Sequence, residues 1–404
     1  MFSIEVGGIN AALYHSCKEI MSNGDVVTVR DQETTELHPA IMILTNPTNR
    51  TLIYPGRGNN PFSTLFETIW LLGSKDNDIT YLSKFLPRAK DYSDNPDDIK
   101  PKWRAGYPER LRAYRANPTV EPINQLRYVY DKLSSDPQTR QAVAIFWNPY
   151  LDDYEKPGVL KKSRDYSCSQ LLNFLIRDGK LDLTFYIRSN DAIFGMTSIN
   201  IYEFTAIQEI MAKCLNVKIG KLYYMANSLH LYAKHYDKAW ELINNYEKAC
   251  GDEWERMAPK NFSLYPFKQR ESYSIVEGMY HKIYSRIINA IPCADGGLTT
   301  WNLDDSPMFP ADHRFENVAD IDTMISACVY YYYYQRAKDF GDYQGFTPRE
   351  IADKMLDRII RGREQSDLTF SMCFWMLKDL KVIEPCDLTS ARAIYQDLSD
   401  KPRR

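Results

Sequence analysis

No Cys-x-x-Cys pair occurs in this 404-residue sequence; its eight cysteines are scattered singly at positions 17, 168, 214, 250, 293, 328, 373 and 386. That scatter argues against zinc ribbons and thioredoxin-type redox sites. A charge excess is lacking too, since 50 Lys and Arg face 53 Asp and Glu for a net charge of −3. Nothing global therefore recommends nucleic acid or an anionic membrane as a partner, although a local basic pocket stays open. No apolar run approaches the roughly 18 residues a membrane span needs. The amino terminus, Met1-Phe2-Ser3-Ile4-Glu5, has neither the basic flank nor the long apolar segment of a secretory leader. The expectation is a cytoplasmic protein with reduced thiols.

What is present is an ordinary globular balance, 44% apolar and 25% charged, with 29 tyrosines. A chain of this length buries one large core or divides into two domains. Up to about residue 60, a helix over Ala11 to Ser22 is expected among strands at Val26–Val29 and Ile41–Leu44. Pro61 to Leu72 reads as a helix, residues 87–118 as loop-rich, and Thr119 to Leu133 as a second helix. Ala142 to Trp147 reads as a buried strand. Apolar stretches around 170–177 and 181–188 flank Asp178-Gly179 as the arms of a hairpin do. Asn200, with Glu203 three residues on, predicts an N-cap and capping box for a helix carrying Phe204, Ile207, Met211 and Cys214. After about residue 260 helical patterns dominate, at Ile321 to Asp339, Arg349 to Arg363 and Leu368 to Leu380. Thr347-Pro348-Arg349-Glu350 is a further capping box with proline at its first helical position. Five consecutive tyrosines, Tyr330 to Tyr334, are expected to pack against several neighbours.

The chemistry concentrates between these landmarks. Cys168 stands twenty residues before Arg188-Ser189-Asn190-Asp191, and Asn200 and His230-Leu231-Tyr232 follow. A thiol, an anion-binding Arg-Ser pair, an amide and a His-x-Tyr point to covalent chemistry on a phosphorylated substrate. Alone, Cys168 would read as a small core residue, each arginine as a surface ion pair, and Asn200 as a plain cap.

Taken together, these motifs resemble the superfamily of thymidylate synthases and pyrimidine nucleotide hydroxymethylases. They run in its order: Glu67 with Trp70, Tyr107 ahead of Arg112, Arg140 before a strand ending Trp147-Asn148, Cys168, Arg188-Ser189-x-Asp191, Gly195, Asn200, and His230-x-Tyr232. The resemblance covers residues 67–235, with weaker likeness back to Arg30. It implies a mixed α/β three-layer core whose sheet packs on its twin in a homodimer. Residues 1–260 would form the catalytic core and 261–404 a helical extension.

The resemblance also implies roles. Cys168 would add to carbon 6 of a pyrimidine nucleoside monophosphate, making carbon 5 nucleophilic toward a one-carbon unit carried by 5,10-methylenetetrahydrofolate. A cationic neighbourhood would favour the thiolate. Arg188, Ser189, Arg140 and Arg30 would hold the phosphate, Arg140 reaching across the dimer interface. Asn200 would read the carbon 4 edge, where amide favours uracil and carboxylate favours cytosine. His230 and Tyr232 would hold the sugar. Glu67, beside Phe66 and Trp70, would manage protons through water and is expected to have a raised pKa. Asp191 and Tyr107 would orient ring and thiol.

The sequence departs from the family pattern in places. Ser167 and Ser169 flank the thiol in place of Pro and His, and Ile187 and Gln141 replace a Gln and an Arg. One extra residue lies between Gly195 and Asn200, and a long extension ending Lys401-Pro402-Arg403-Arg404 replaces the short closing tail. These departures favour water capture at carbon 5, giving a 5-hydroxymethyl nucleotide, best dUMP as substrate. The alternatives are reductive methylation to dTMP and a nucleotide-binding homologue that recruits a partner. The extension could replace the lid, enlarge the dimer interface or dock another protein. A phage-encoded enzyme would work in the host cytoplasm.

Overall fold

The computed structural model describes residues 2–163, 165–248, 261–267, 269–292, 318–361, 365–384 and 387–401. The expected boundary at residue 260, Cys250, Cys293, Cys386, the end of the 349–363 helix and the residues after Lys401 lie outside them. Strands β1 (Phe2–Val6), β2 (Asp25–Val29), β3 (Gln32–Leu37) and β4 (Ala40–Leu44) surround helix α1 (Ile9–Asn23). Then come α2 (Pro61–Gly73), short α3 (Leu82–Phe85) and α4 (Tyr107–Arg112), and α5 (Gln125–Ser135). Strand β5 (Val143–Ile145), α6 (Pro149–Asp152) and the small hairpin β6 (Tyr154–Lys156) and β7 (Val159–Leu160) precede the long strands β8 (Ser169–Arg177) and β9 (Lys180–Ile187). Last in the core are β10 (Asn190–Asp191), α7 (Ile201–Leu215), β11 (Lys218–Ala226), β12 (Leu229–Tyr232) and α8 (Tyr236–Lys248).

The fold is mixed α/β. Six strands form one sheet in the order β1-β4-β11-β9-β8-β5, and four form a second in the order β10-β12-β3-β2. The β8–β9 hairpin turns at Asp178 and Gly179, both at positive φ (50° and 68°), the backbone a two-residue turn of this twist needs. On the large sheet, Leu172, Phe174 and Ile176 alternate with half-buried neighbours, as do Leu181, Leu183 and Phe185. Their buried face is covered by α7, and the period of two fixes the register of the whole sheet.

Helix α5 begins at Gln125, not Thr119. Pro122 cannot sit in a helix interior, and the Asn124 side chain accepts from the Arg127 amide as the actual cap. The loop-rich 87–118 stretch contains only short α4 and a 3-10 turn over Pro87–Tyr92 among its described elements. Thr347 does form its capping box with Glu350.

The C-terminal part is helical: α9 (Tyr273–Ala290), α10 (Val318–Phe340), α11 (Pro348–Ile360), α12 (Asp367–Asp379) and α13 (Leu388–Asp400). It closes on α2. Tyr331 stacks on Phe62 at 4.7 Å and accepts a hydrogen bond from Asn60 Nδ2 at 2.7 Å. Trp375 sets its edge against both rings. All five tyrosines of the run are buried, so they pack. Gly73 is required at the α2–α9 crossing, since a Cβ there would lie 2.4 Å from the Tyr280 carbonyl oxygen. The contacts seat the extension on the same helix that carries Glu67. Among the described residues no helix is long and apolar enough to cross a membrane.

Candidate active site

The twenty-residue spacing between Cys168 and Arg188 is the length of a hairpin. Cys168 immediately precedes β8 and Arg188 immediately follows β9, so the two meet at its open end, where the Arg188 amide donates to the Cys168 carbonyl at 3.0 Å. The Arg188 guanidinium folds back over the thiol: Nη2 lies 3.6 Å from Sγ and 3.2 Å from the Tyr166 carbonyl, and Nε donates to Ser167 O at 3.0 Å. Of the described cysteines Cys168 alone is only half-buried. It faces a cavity of about 800 Å³ also lined by Glu67, Tyr107, Ser189, Asp191, Asn200, His230 and Tyr232.

The thiolate is not the resting form. Burial pushes the Cys168 thiol up, and the Arg188 and Arg30 cations only partly offset that, with Asp165 opposing them. The cationic neighbourhood expected from sequence is present, but desolvation outweighs it. Tyr107 sits beside the thiol, its hydroxyl accepting from Ser169 Oγ at 2.7 Å.

Glu67 projects from α2 into the cavity. Burial pushes its carboxyl up to about 7, with the Arg88 cation pulling the other way, as the apolar neighbours Phe66 and Trp70 led us to expect. It therefore exchanges a proton near neutrality, the property required of a group that both takes and returns one.

Asn200 corrects a sequence expectation. It caps nothing: its dihedrals are helical (φ −64°, ψ −45°) and its side chain makes no cap bond. A π-helix over Ala192–Asn200 runs into α7 instead, with the Asp191 side chain accepting from the Phe194 amide at its start. A single inserted residue widens a helical turn in this way, and the extra residue between Gly195 and Asn200 is absorbed here. The cap bond is thus replaced by a side-chain relay: Asn190 Nδ2 donates to Asn200 Oδ1 at 3.0 Å and to Tyr224 OH at 2.9 Å.

His230 and Tyr232 lie on β12, edge to face at 5.1 Å, and His230 pairs with Asp191 across the β10–β12 ladder. Burial lowers the His230 pKa, so the imidazole is neutral near pH 7 and can accept or donate. Ser189 lines the cavity, whereas Arg188 touches it through the thiol. Arg30 is exposed at a positive-φ turn between β2 and β3, outside the lining yet near enough to act on Cys168 and Tyr232. Arg140 is exposed on the loop before β5 and does not line this cavity.

Several lining residues were not singled out from sequence. Asn190 occupies the variable place of the Arg-Ser-x-Asp run. Trp103 and Tyr92 join Trp70, which the sequence did mark, in a stacked series with ring centroids 6.1 Å and 4.9 Å apart. Arg57 stacks on Phe194 at 4.5 Å and bonds Ser198, while its Nε has no partner among the described residues. Glu203, expected as a capping acid, lies in the cavity. Its signal was available: a carboxylate on the apolar stripe of a helix.

A family model described as thymidylate synthase matches residues 12–271. The chain is 36% identical over 221 residues to a "Deoxyuridylate hydroxymethyltransferase" of Bacillus phage SP01, covering 54% of this chain and 55% of that protein. It is 28% identical over 286 residues to a protein of the same name from Delftia phage PhiW-14, covering 70% and 76%. A "Putative thymidylate synthase" of Methanocaldococcus jannaschii is 30% identical over 257 residues, covering 62% of this chain and 98% of that protein. The chain thus spans about half the length of the SP01 relative it matches.

Proposed function

We propose, from the premise that this chain belongs to the thymidylate synthase family, that it transfers a one-carbon unit to carbon 5 of dUMP and releases 5-hydroxymethyl-dUMP. The observation that carries this reading is the thiol of Cys168 under the Arg188 guanidinium, facing the cavity that also holds Glu67 and Asn200. Cys168 adds to carbon 6 and carbon 5 becomes nucleophilic. Arg188, Ser189 and Arg30 take the phosphate, and Arg188, 3.6 Å from Sγ, also brings its cation to the thiol, where it favours the thiolate. Asn200 is held by Asn190 through its oxygen, which leaves its amide N–H for O4 of uracil. His230 and Tyr232 take the sugar hydroxyl, Glu67 passes protons through water, and Tyr107 and Asp191 hold the surrounding backbone and side chains in place.

The cavity wall fits a flat heteroaromatic cofactor. Trp70, Trp103 and Tyr92 offer stacked faces, and Arg57, pushed down to about 10 by burial, offers a cation for a carboxylate. These residues would hold 5,10-methylenetetrahydrofolate, which when bound supplies a carbon at the oxidation level of formaldehyde.

A second copy completes the site in this reading. The large sheet leaves Leu171, Leu175, Tyr186, Tyr223, Met225 and Ile43 half-buried on its second face, an apolar surface suited to a twin. Exposed Arg140 would then reach the neighbour's phosphate site. Residues 1–260 form the catalytic core and 261–404 an extension that buttresses α2. The enzyme works in the cytoplasm, that of the host if phage-encoded.

Water capture is supported by the names of the two phage relatives. The archaeal relative, matched over 98% of its length, favours reductive methylation as the second reading. Purified protein is incubated with methylenetetrahydrofolate and a panel of UMP, dUMP, CMP and dCMP, and product masses are read. A 5-hydroxymethyl product from dUMP without dihydrofolate absorbance is expected. Formation of dTMP with rising dihydrofolate would overturn the reading in favour of a synthase. Carbon 5 tritium release that survives Cys168→Ala would overturn the covalent mechanism.

A further inference from the structure

Glu67 is not the only buried acid in the cavity. Glu203 lies one turn beyond Asn200 on α7, is 2% exposed, and lines the same cavity. Among the described residues neither carboxyl has a hydrogen-bonding partner. On the same helix Glu209 is treated differently: Arg50 and Ser263 Oγ (2.6 Å) both bond it. Burying a carboxyl without partners is costly, so the acid that opens on the cavity is the one left for a ligand or water to satisfy.

Its position is fixed by its neighbours. Residues three apart share a helix face, so Glu203 stands beside Asn200, the amide at the carbon 4 edge. Glu203 lines this cavity together with Cys168 and Tyr107. Burial, then the nearby Glu67 charge, raises the Glu203 pKa well above the ordinary carboxyl range. Burial and the Glu67 charge thus both favour the protonated form of Glu203, beside a Glu67 that titrates at about 7.

We propose that Glu203 and Glu67 together hold the water molecule that adds to the exocyclic methylene at carbon 5, and that Glu203 thereby commits the adduct to a hydroxymethyl product. This rests on the hydroxymethylase reading above. Once the one-carbon unit is joined to carbon 5 and its carrier has left, the base carries a C5=CH2 group conjugated with C4=O, and carbon 6 is bonded to Cys168 Sγ. The water oxygen bonds to the methylene carbon, and the C5=CH2 electron pair moves into an enolate over C5, C4 and O4. The Glu67 carboxylate takes one water proton while the Glu203 carbonyl oxygen accepts a hydrogen bond from the other. The enolate then forms C5=C6 and the C6–S bond breaks, returning the thiolate. No oxidant or reductant is consumed.

The test compares Glu203→Leu, Glu203→Ala and Glu203→Gln in the full chain, each checked for folding and dUMP binding. Carbon 5 tritium release reports the steps up to the methylene, and product mass reports water addition. Loss of the water's second anchor should leave tritium release within about threefold and cut hydroxymethyl product about tenfold or more in the Leu and Ala variants. Glu203→Gln keeps an acceptor oxygen at the same place, so it should retain product. Parallel loss of tritium release and product in a folded variant overturns the proposal, as does a wild-type ratio of the two in Glu203→Leu or Glu203→Ala. Failure of Glu203→Gln alongside Glu203→Leu also overturns it. If the unaltered protein forms no 5-hydroxymethyl product, it is the reading of the reaction that fails.

Discussion

Glu67→Gln should make the protein more stable above neutral pH while removing its activity. The Glu67 carboxyl titrates at about 7 instead of an ordinary 4.5 because burial penalises its anion. At about 1.4 kcal/mol per pH unit, keeping it ionised in the fold costs on the order of 3 kcal/mol. The sign follows from proton counting. Between 4.5 and 7 the native state keeps a proton that the unfolded chain has released, so stability falls as pH rises through that window. The full penalty is present above about 7 and absent below 4.5. Glutamine does not titrate, so its benefit appears across the same window. Any pH-independent cost of an unpaired amide cancels when the effect is read as a difference between two pH values. Measurement is cleanest on a Glu203→Gln background, where one acid of the pair remains; Glu203 is not among the groups that shift Glu67. Urea unfolding would be followed by tryptophan fluorescence at about pH 5 and about pH 8. The variant's advantage should grow by roughly 2–3 kcal/mol between them, with activity reduced about a hundredfold or more at about pH 8, where Glu67 is ionised. An advantage equal at the two pH values, or larger at the acidic one, refutes the reasoning.

Glu209→Ala should lower stability by about 3–5 kcal/mol in the same melts, because it strands Arg50, itself only 2% exposed, without its counter-charge. Gly195→Ala should fold yet bind dUMP about tenfold more weakly. Its Cβ would lie 2.0 Å from Asn190 Oδ1, and displacing Asn190 frees Asn200 from its anchor. Asn200→Asp keeps an oxygen for Asn190 and exchanges the donor for an acceptor, which suits the cytosine amino group. Relative kcat/KM should move toward dCMP, and an unchanged ratio counts against Asn200 as the base reader.

Local rules carried much of the chain. The alternation in 169–187 and the Asp-Gly turn specify a hairpin, and a hairpin of that length must bring residue 168 to residue 188. The Thr347 capping box and the amphipathic helices beyond it were equally legible. Where a second local signal competed, the reading slipped: Pro122 and Asn124 moved the start of α5, and the inserted residue before Asn200 turned an expected cap into a π-helix. Glu203 was misread for the same reason, since a capping acid and a cavity acid occupy the same place relative to Asn200 in the sequence.

What the sequence by itself determined was the inventory and order of the chemistry: a thiol, an Arg-Ser pair, an amide, a His-x-Tyr and an acid, at spacings that strands and helices enforce through hydrogen bonding and period. What only the tertiary structure decided was the protonation and partnership of those groups. Cys168 is held as a thiol, Glu67 titrates near neutrality, Asn200 is tied to Asn190, and Glu203 shares the cavity. Each outcome depends on desolvation and on charges contributed by segments distant along the chain, from Arg30 to Arg188 and from Glu67 to Glu203. Those quantities are set by distances through space, which packing fixes and residue order alone does not.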